Sequence, residues 1–186
     1  MKALMDNKHL LINALLFQIV WFIAVLQQSI WAALPVGLML MHLLIVQKRS
    51  FWRVASLVLL AFIGVSLDSV FNFIGIYHFS VSNLLLPMFG LPVWLVCLWL
   101  GFCLTLPLSL AWLIKKPYFF VLGCTLLGPI SYLAGRRFEA IGFSDANIWL
   151  LVVEWCVFSI IALVFLFPKL GVSKASPIFF KNETPC

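Results

Sequence analysis

The segment Gly64-Val-Ser-Leu-Asp68-Ser-Val-Phe-Asn72-Phe-Ile-Gly75 places a carboxylate in the middle of an apolar run. Residues four apart share one face of an α-helix, so Gly64, Asp68 and Asn72 form a stripe of small and polar side chains. An ionisable residue at membrane depth costs roughly 3 kcal/mol on insertion scales, so it usually faces protein or a wet cavity. The segment therefore predicts a polar site inside a bundle of apolar helices, without indicating which reaction or cargo belongs there.

The overall composition indicates a membrane protein. Hydrophobic residues make up 65% of the 186 residues and charged residues only 10%, whereas about 25% of the residues in a soluble domain are charged. Hardly any sequence lies outside the apolar runs, so no separate soluble catalytic domain is predicted. The net charge of +6 comes from basic residues in short loops beside those runs. This placement indicates membrane topology rather than nucleic-acid binding.

The spacing of the apolar runs predicts an all-α integral membrane protein with six transmembrane helices. We expect one membrane domain at residues 1–170, followed by a basic cytoplasmic tail at 171–186. Pro107 predicts a kink in the fourth span because proline removes a helical N–H, and Gly128-Pro129 predicts an irregularity in the fifth. The predicted spans are about 10–26, 30–46, 54–75, 91–114, 118–135 and 148–167.

The distribution of positive charge predicts the orientation of the spans. Of the 12 lysines and arginines, all except Arg136 and Arg137 lie on one side of the predicted membrane. Short loops rich in lysine and arginine stay in the cytoplasm. The N-terminus and the C-terminus are therefore both expected to be cytoplasmic.

Two acidic residues are the strongest candidates for chemistry. Counted at 1.5 Å per residue, Asp68 lies about 10 Å and Glu154 about 9 Å below the predicted outer ends of their spans. Two carboxylates at one depth could meet and share a proton, which suits acid/base chemistry or proton coupling. The alternative, with equal weight, is that each carboxylate bonds separately to its own helix neighbours.

Other polar residues near the same side are weaker candidates. His78 is a further acid/base candidate, although most histidines in such loops are merely solvated. Asn72 and Tyr132 are candidate substrate-binding residues; Tyr132 lies on a face of small residues that helix packing explains better. Arg136 and Arg137 could bind a carboxylate or a lipid phosphate, but interfacial arginines more commonly extend to the headgroups.

No metal site and no cofactor are predicted. A metal would require several histidine or carboxylate ligands at short spacing, and only Asp68, His78 and Glu154 lie on one side. Four cysteines stand in apolar runs without metal-ligand spacing and are interpreted as small core residues. They are Cys97, Cys103, Cys124 and Cys156. The sequence contains no glycine-rich phosphate loop and no Ser-His-Asp arrangement.

Several short motifs resemble those of a family of small bacterial polytopic inner-membrane proteins that is catalogued as a domain of unknown function. The resemblance covers nearly the whole chain and implies a multi-pass protein of the bacterial inner membrane. Members tend to be associated with genes for fatty-acyl and membrane-lipid modification, which implies a lipid context but no catalytic residue. The motifs are Asp68-Ser69, Leu91-Pro-Val-Trp94, Leu98-Trp99, Ser109-Leu-Ala-Trp112 and Gly128-Pro-Ile-Ser-Tyr-Leu-Ala-Gly135.

Three classes of function are compatible with these observations. The first is a role in membrane-lipid or fatty-acyl modification, as an enzyme or accessory subunit that uses Asp68, Glu154 and His78. The second is a small transporter coupled to protons or cations, and the third is a non-catalytic assembly or scaffold protein. The polar residues lie outward of the membrane midplane, whereas carriers bind near it, which favours the first class. Membrane lipids are the expected partners, with other inner-membrane proteins as further candidates and nucleic acid excluded.

The charge distribution makes a direct topological prediction. Reporter enzymes that are active only outside the cytoplasm should be active when fused after Gln28 or Glu139, and inactive when fused after Lys116. Activity of the reporter after Lys116 would contradict the orientation and every depth calculated from it.

Overall fold

The computed structural model describes residues 2–46, 50–79, 84–86 and 91–166. The chain is mostly helical there, and the predicted tail at 171–186 lies outside the described residues. Within the described residues, four helical segments are long and apolar enough to cross a membrane: Lys8–Gln27, Phe51–Phe73, Pro117–Arg137 and Asp145–Phe165. The helices are α1 (Lys2–Gln27), α2 (Ala33–Met41), α3 (Phe51–Phe73), α4 (Val93–Thr105), α5 (Ala111–Ile114), α6 (Pro117–Arg137) and α7 (Ile148–Leu166).

Helices also lie at the predicted second and fourth spans, but they are shorter. A 3₁₀ turn (Ile30–Ala32), α2 and a π-helical segment (His42–Val46) follow one another at the second. They include an apolar helix of Ile30–Ile45, and α4 is the corresponding short helix at the fourth. The structure thus establishes four helices of spanning length, and the crossing of all six remains a prediction.

The predicted kink at Pro107 is a complete break between α4 and α5. The Cys103 carbonyl would normally accept a hydrogen bond from the N–H of residue 107, which proline lacks. It accepts instead from the N–H of Leu106 at 3.2 Å. Pro129, by contrast, lies inside α6, and the helical assignment continues through it. The expected interruption of the fifth helix is therefore absent.

Asn13 of α1 stabilises the broken end of α4. Its side chain is fully buried, and its Nδ2 donates to the Leu104 carbonyl at 3.2 Å. The Ser109 hydroxyl donates in turn to Asn13 Oδ1 at 2.7 Å. A buried carbonyl without a partner is costly, so this asparagine replaces a hydrogen bond that the break removes.

Short strands lie in the two segments predicted as outer loops and at the start of the predicted fourth span, 91–114. Strand β1 (Tyr77–Phe79) pairs antiparallel with β4 (Ile141–Phe143), and β2 (Leu84–Leu86) pairs with β3 (Leu91–Pro92). The β1–β4 pair joins the segment after α3 to the segment before α7. It therefore connects the helices that carry Asp68 and Glu154.

A reversal at the end of α3 directs β1 back toward the bundle. The N–H of Gly75 bonds to the Asn72 carbonyl and the N–H of Ile76 to the Phe71 carbonyl, the pair of bonds that defines a Schellman motif. Gly75 has a φ of +76°, which glycine adopts without steric cost. Glu139 occupies the equivalent position after α6 with a φ of 57°. Both strands thus leave their helices by the same type of turn.

A stacked tryptophan pair fills the centre of the bundle. The rings of Trp99 in α4 and Trp155 in α7 are 4.9 Å apart at 16°. Glycines on α3 and α6 make room for them: a Cβ at Gly64 would lie 2.3 Å from Trp99 Cε3, and one at Gly128 would lie 2.0 Å from Trp155 Cδ2. The two helices can approach the rings this closely only because neither residue has a side chain.

These contacts predict that Gly128→Ala destabilises the protein. The added methyl would overlap the Trp155 ring, and overpacking of this kind typically costs about 1–3 kcal/mol. Thermal unfolding in detergent should therefore occur at a lower temperature. Gly37→Ala is the matched control, because a Cβ there meets nothing within 4 Å. Equal stability of the two variants would contradict the packing described here.

Candidate functional site

Asp68 lies at the centre of a buried polar cluster. Its side chain is 0% exposed, and three neutral groups donate hydrogen bonds to it. The Tyr132 hydroxyl is 2.7 Å from Oδ1 and 2.8 Å from Oδ2, Trp99 Nε1 is 2.5 Å from Oδ2, and the Tyr77 hydroxyl donates to Oδ1. These donors come from α6, α4 and β1. Together with α3, which carries Asp68, four separate elements therefore meet at one carboxyl group.

Glu154 of α7 lies in the same cluster. It is 2% exposed, and its Oε1 is 3.5 Å from the Tyr77 hydroxyl that also bonds Asp68. Both carboxyl groups thus approach the same phenol oxygen. Its second oxygen, Oε2, is buried without a hydrogen-bond partner among the described residues. The structure therefore brings together the two acidic residues whose similar depth suggested a common site.

Tyr77 connects the two carboxyl groups because of its position on β1. Side chains alternate between the two faces of a strand, and Tyr77 and Phe79 are buried while His78 is exposed. Burial, reinforced by the neighbouring Asp68 charge, raises the pKa of Tyr77 well above its ordinary value. The phenol consequently keeps its proton at neutral pH and serves as a hydrogen-bond donor.

The structure does not bring His78 into this cluster. It lies on the opposite face of β1, against Gly142 of β4, where an added Cβ would come within 2.4 Å of its Nε2. Asn72 is half-buried one helical turn after Asp68. Tyr132, a candidate outside the acidic pair, donates to both carboxyl oxygens of Asp68.

The two candidate arginines lie outside the cluster around Asp68. Arg136 Nη1 lies 2.6 Å from Asp145 Oδ1 and donates to the Phe143 carbonyl at 3.2 Å. Its guanidinium stacks 4.8 Å from the centre of the Phe143 ring, and Arg137 is exposed. Among the described residues, no lysine or arginine forms an ion pair with Asp68 or Glu154.

An apolar cavity of about 470 Å³ adjoins the cluster. It lies between α1 and α6, with residues of α4, α5 and α7 completing its walls. Trp99 and Tyr132 line it, and these are two of the three donors to Asp68. Trp21 Nε1 donates to Ser131 Oγ at 2.9 Å and so bridges α1 and α6 beside the cavity. The wall that separates the cavity from the carboxylates is therefore made of the groups that bind them.

Three residues of the site do not stand out in the sequence. Tyr77 falls in a predicted outer loop, and Trp99 and Trp155 fall in predicted spans without a site of their own. The alternation of Tyr77, His78 and Phe79 was a usable signal for a strand with an inward tyrosine. Trp99 and Trp155 stand inside apolar runs rather than at their ends, where interfacial tryptophans are found. No local sequence pattern indicates that Trp99 packs against Gly64 or Trp155 against Gly128.

No group of three or more histidine, cysteine, aspartate or glutamate side chains in the described ranges is arranged to hold a metal ion. The described cysteines that lie in the apolar helices are free thiols. The polar groups that meet at the site are carboxyl, phenol and indole groups.

Comparison with known proteins assigns the chain to a family but not to an activity. A family model described as "Protein of unknown function (DUF2878)" matches residues 10–164. Because the match covers most of the chain, the protein belongs to this family. No curated protein and no solved structure matches the chain.

The cluster predicts that Tyr77→Phe is destabilising. The substitution removes one donor to a buried carboxyl group, and an unsatisfied buried polar group costs about 1–3 kcal/mol. Thermal unfolding in detergent should detect this loss. Tyr118→Phe is the matched control, since Tyr118 is 88% exposed. If both variants unfold like the original protein, the Tyr77 hydroxyl does not hold Asp68.

Proposed function

We propose that this DUF2878 protein takes part in the modification of membrane lipids or fatty acyl chains, as the enzyme itself or as an accessory subunit. The observation that carries the proposal is the burial of Asp68 and Glu154 around one tyrosine hydroxyl, directly beside an apolar cavity. In the proposed setting the protein is a six-span protein of the bacterial inner membrane with both termini in the cytoplasm.

The first support is the cost of keeping carboxyl groups in this position. Asparagine or serine would hold a helix contact without an ionisable group, yet two acids are buried together without a basic partner among the described residues. Ionisable groups at membrane depth usually have a functional role. Two adjacent carboxyls cannot both ionise easily, so they retain a shared proton. Such a pair can deliver and recover a proton.

The second support is the connection between the pair and the cavity. Tyr132 lines the cavity and donates to both oxygens of Asp68. When Asp68 is protonated, it can pass its proton to the Tyr132 oxygen while the phenol gives its own proton to a group in the cavity. The reverse transfer returns the proton to Asp68. Tyr132 is thus the proposed relay, and Glu154 is the second acid of the pair.

The surroundings of the cavity favour a lipid substrate over a transported ion. Its walls are predominantly apolar and have no charged side chain, whereas an ion pathway requires polar groups or water along its length. The same acid pair in a transporter would couple proton binding to uptake or export. In a scaffold protein, the carboxyl groups would contribute only to packing.

Replacement of Asp68 distinguishes these possibilities. Asp68→Asn preserves the size and most hydrogen-bonding capacity of the side chain but removes the exchangeable carboxyl proton. The variant protein should accumulate normally in the membrane. The lipid composition of the cells that express it, measured by mass spectrometry, should change as it does in a deletion strain. Asp145→Asn is the matched control, because this carboxylate is 81% exposed and pairs with Arg136; it should preserve the original lipids.

The other outcomes are equally specific. If deletion and Asp68→Asn both leave the lipids unchanged but abolish a pH-dependent uptake or export, the transporter function replaces the proposed one. If Asp68→Asn behaves like the original protein in every assay while deletion does not, the carboxyl group has no chemical role and the scaffold function is favoured.

A further inference from the structure

We infer that the cavity between α1 and α6 binds one acyl chain of a membrane lipid, which enters sideways from the bilayer. The inference rests on the proposed function for the reaction that follows, but the binding site is argued from its own shape, lining and opening. The proposed binding site defines where the substrate lies and which end of the substrate approaches Asp68.

The shape of the cavity suits an extended chain. Its lining on α6 runs from Gly123 to Tyr132, a distance of about 14 Å at 1.5 Å per residue. The lining therefore extends along the axis of α6, roughly the direction that acyl chains take in a bilayer. The volume of about 470 Å³ lies within the range of roughly 300–1,000 Å³ that is typical of small-molecule sites.

The lining suits a hydrocarbon rather than a polar ligand. Most of the side chains are aliphatic or aromatic, including Leu98, Phe102 and Leu113. Thr105, Ser109 and Ser131 also line the cavity. Each of their hydroxyls already forms a hydrogen bond within the protein. An apolar chain fills such a space without leaving these groups unpaired, and it gains close contacts with the lining that an empty cavity would lack.

The position of the opening identifies lipid as the source of the occupant. Ala14 and Gln18 of α1 are exposed lining residues, and Leu127 of α6 is 65% exposed. These residues lie in helices that are long and apolar enough to cross a membrane. The medium in contact with the opening is therefore the hydrocarbon of the bilayer.

A buried donor in the cavity lining can bind the polar end of the chain. Trp155 lines the cavity and is 8% exposed, and its Nε1–H is buried without a hydrogen-bond partner among the described residues. An ester or carboxyl carbonyl is an acceptor that would satisfy this donor. The carbonyl end is thus expected near Trp155 and Tyr132, and the methyl end near Gly123.

Photolabelling with a lipid tests this site. The purified full-length protein, in liposomes with a trace of phospholipid that carries a diazirine on one acyl chain, is illuminated and its labelled peptides are mapped by mass spectrometry. Gly123→Phe should fill the cavity, since a Cβ there meets only Leu113 Cδ2, at 3.7 Å. Labelling of the α1 and α6 lining should then fall to the level of the other lipid-facing surfaces, because the new side chain occupies the space of the acyl chain.

Two further variants make the outcome decisive. Gly37→Phe is the matched control, because a side chain there enters open space, and its labelling should equal that of the original protein. Ala14→Trp obstructs the exposed opening from α1 and should reduce labelling even if Gly123→Phe fails to fold. Labelling spread evenly over the lipid-facing surface, or unchanged by both blocking variants, would overturn the proposed chain site.

The result is also separable from the proposed function. Asp68→Asn should keep the labelling of the cavity, because Asp68 does not line it. Preserved labelling with unchanged cellular lipids would support the binding site while removing the chemical role of Asp68. Loss of labelling in Gly123→Phe together with a deletion-like lipid composition would support both.

Discussion

A carboxyl group placed where water is absent must receive its hydrogen bonds from the protein, and most of this structure depends on how Asp68 receives them. Its three donors come from β1, α4 and α6. Each of these elements therefore has to be held in a fixed position relative to α3. The Schellman turn at Gly75 returns β1 to the bundle, and pairing with β4 keeps it there. A local electrostatic requirement thus determines a long-range arrangement of helices and strands.

Trp99 contributes both to the packing of the core and to the hydrogen bonding of Asp68. One face of its ring stacks on Trp155, a flat contact against Gly64 supports it, and its Nε1–H reaches Asp68. A larger residue in place of Gly64 would therefore displace a hydrogen-bond donor as well as a hydrophobic contact. Asn13 combines the same two roles at the other end of α4, where it fills the core and bonds the carbonyl that the break near Pro107 releases. Trp99 and Asn13 are accommodated in the bundle because each combines a hydrogen bond with close packing.

The cavity and the acid pair share a wall made of Trp99 and Tyr132. A chain bound on one side of this wall would be shielded from water, and the carboxyl groups on the other side would exchange protons with it through a phenol rather than by direct contact. In a medium of low dielectric constant, such interactions are stronger than in water. The proposed substrate site and the proposed proton donor are therefore parts of one arrangement, although each can be tested separately.

The sequence by itself determined the helical segments, the membrane character and the burial of Asp68 and Glu154, because hydrophobic runs, helical spacing and the cost of a buried charge are local properties of the chain. It also indicated the break at Pro107, since a missing N–H acts within one helical turn. The tertiary structure alone decided that Tyr77, Trp99 and Tyr132 bind Asp68, that His78 faces away and that a cavity opens between α1 and α6. These features depend on the rotation of each helix and on the pairing of β1 with β4, which join residues distant in the sequence through contacts that no local pattern specifies.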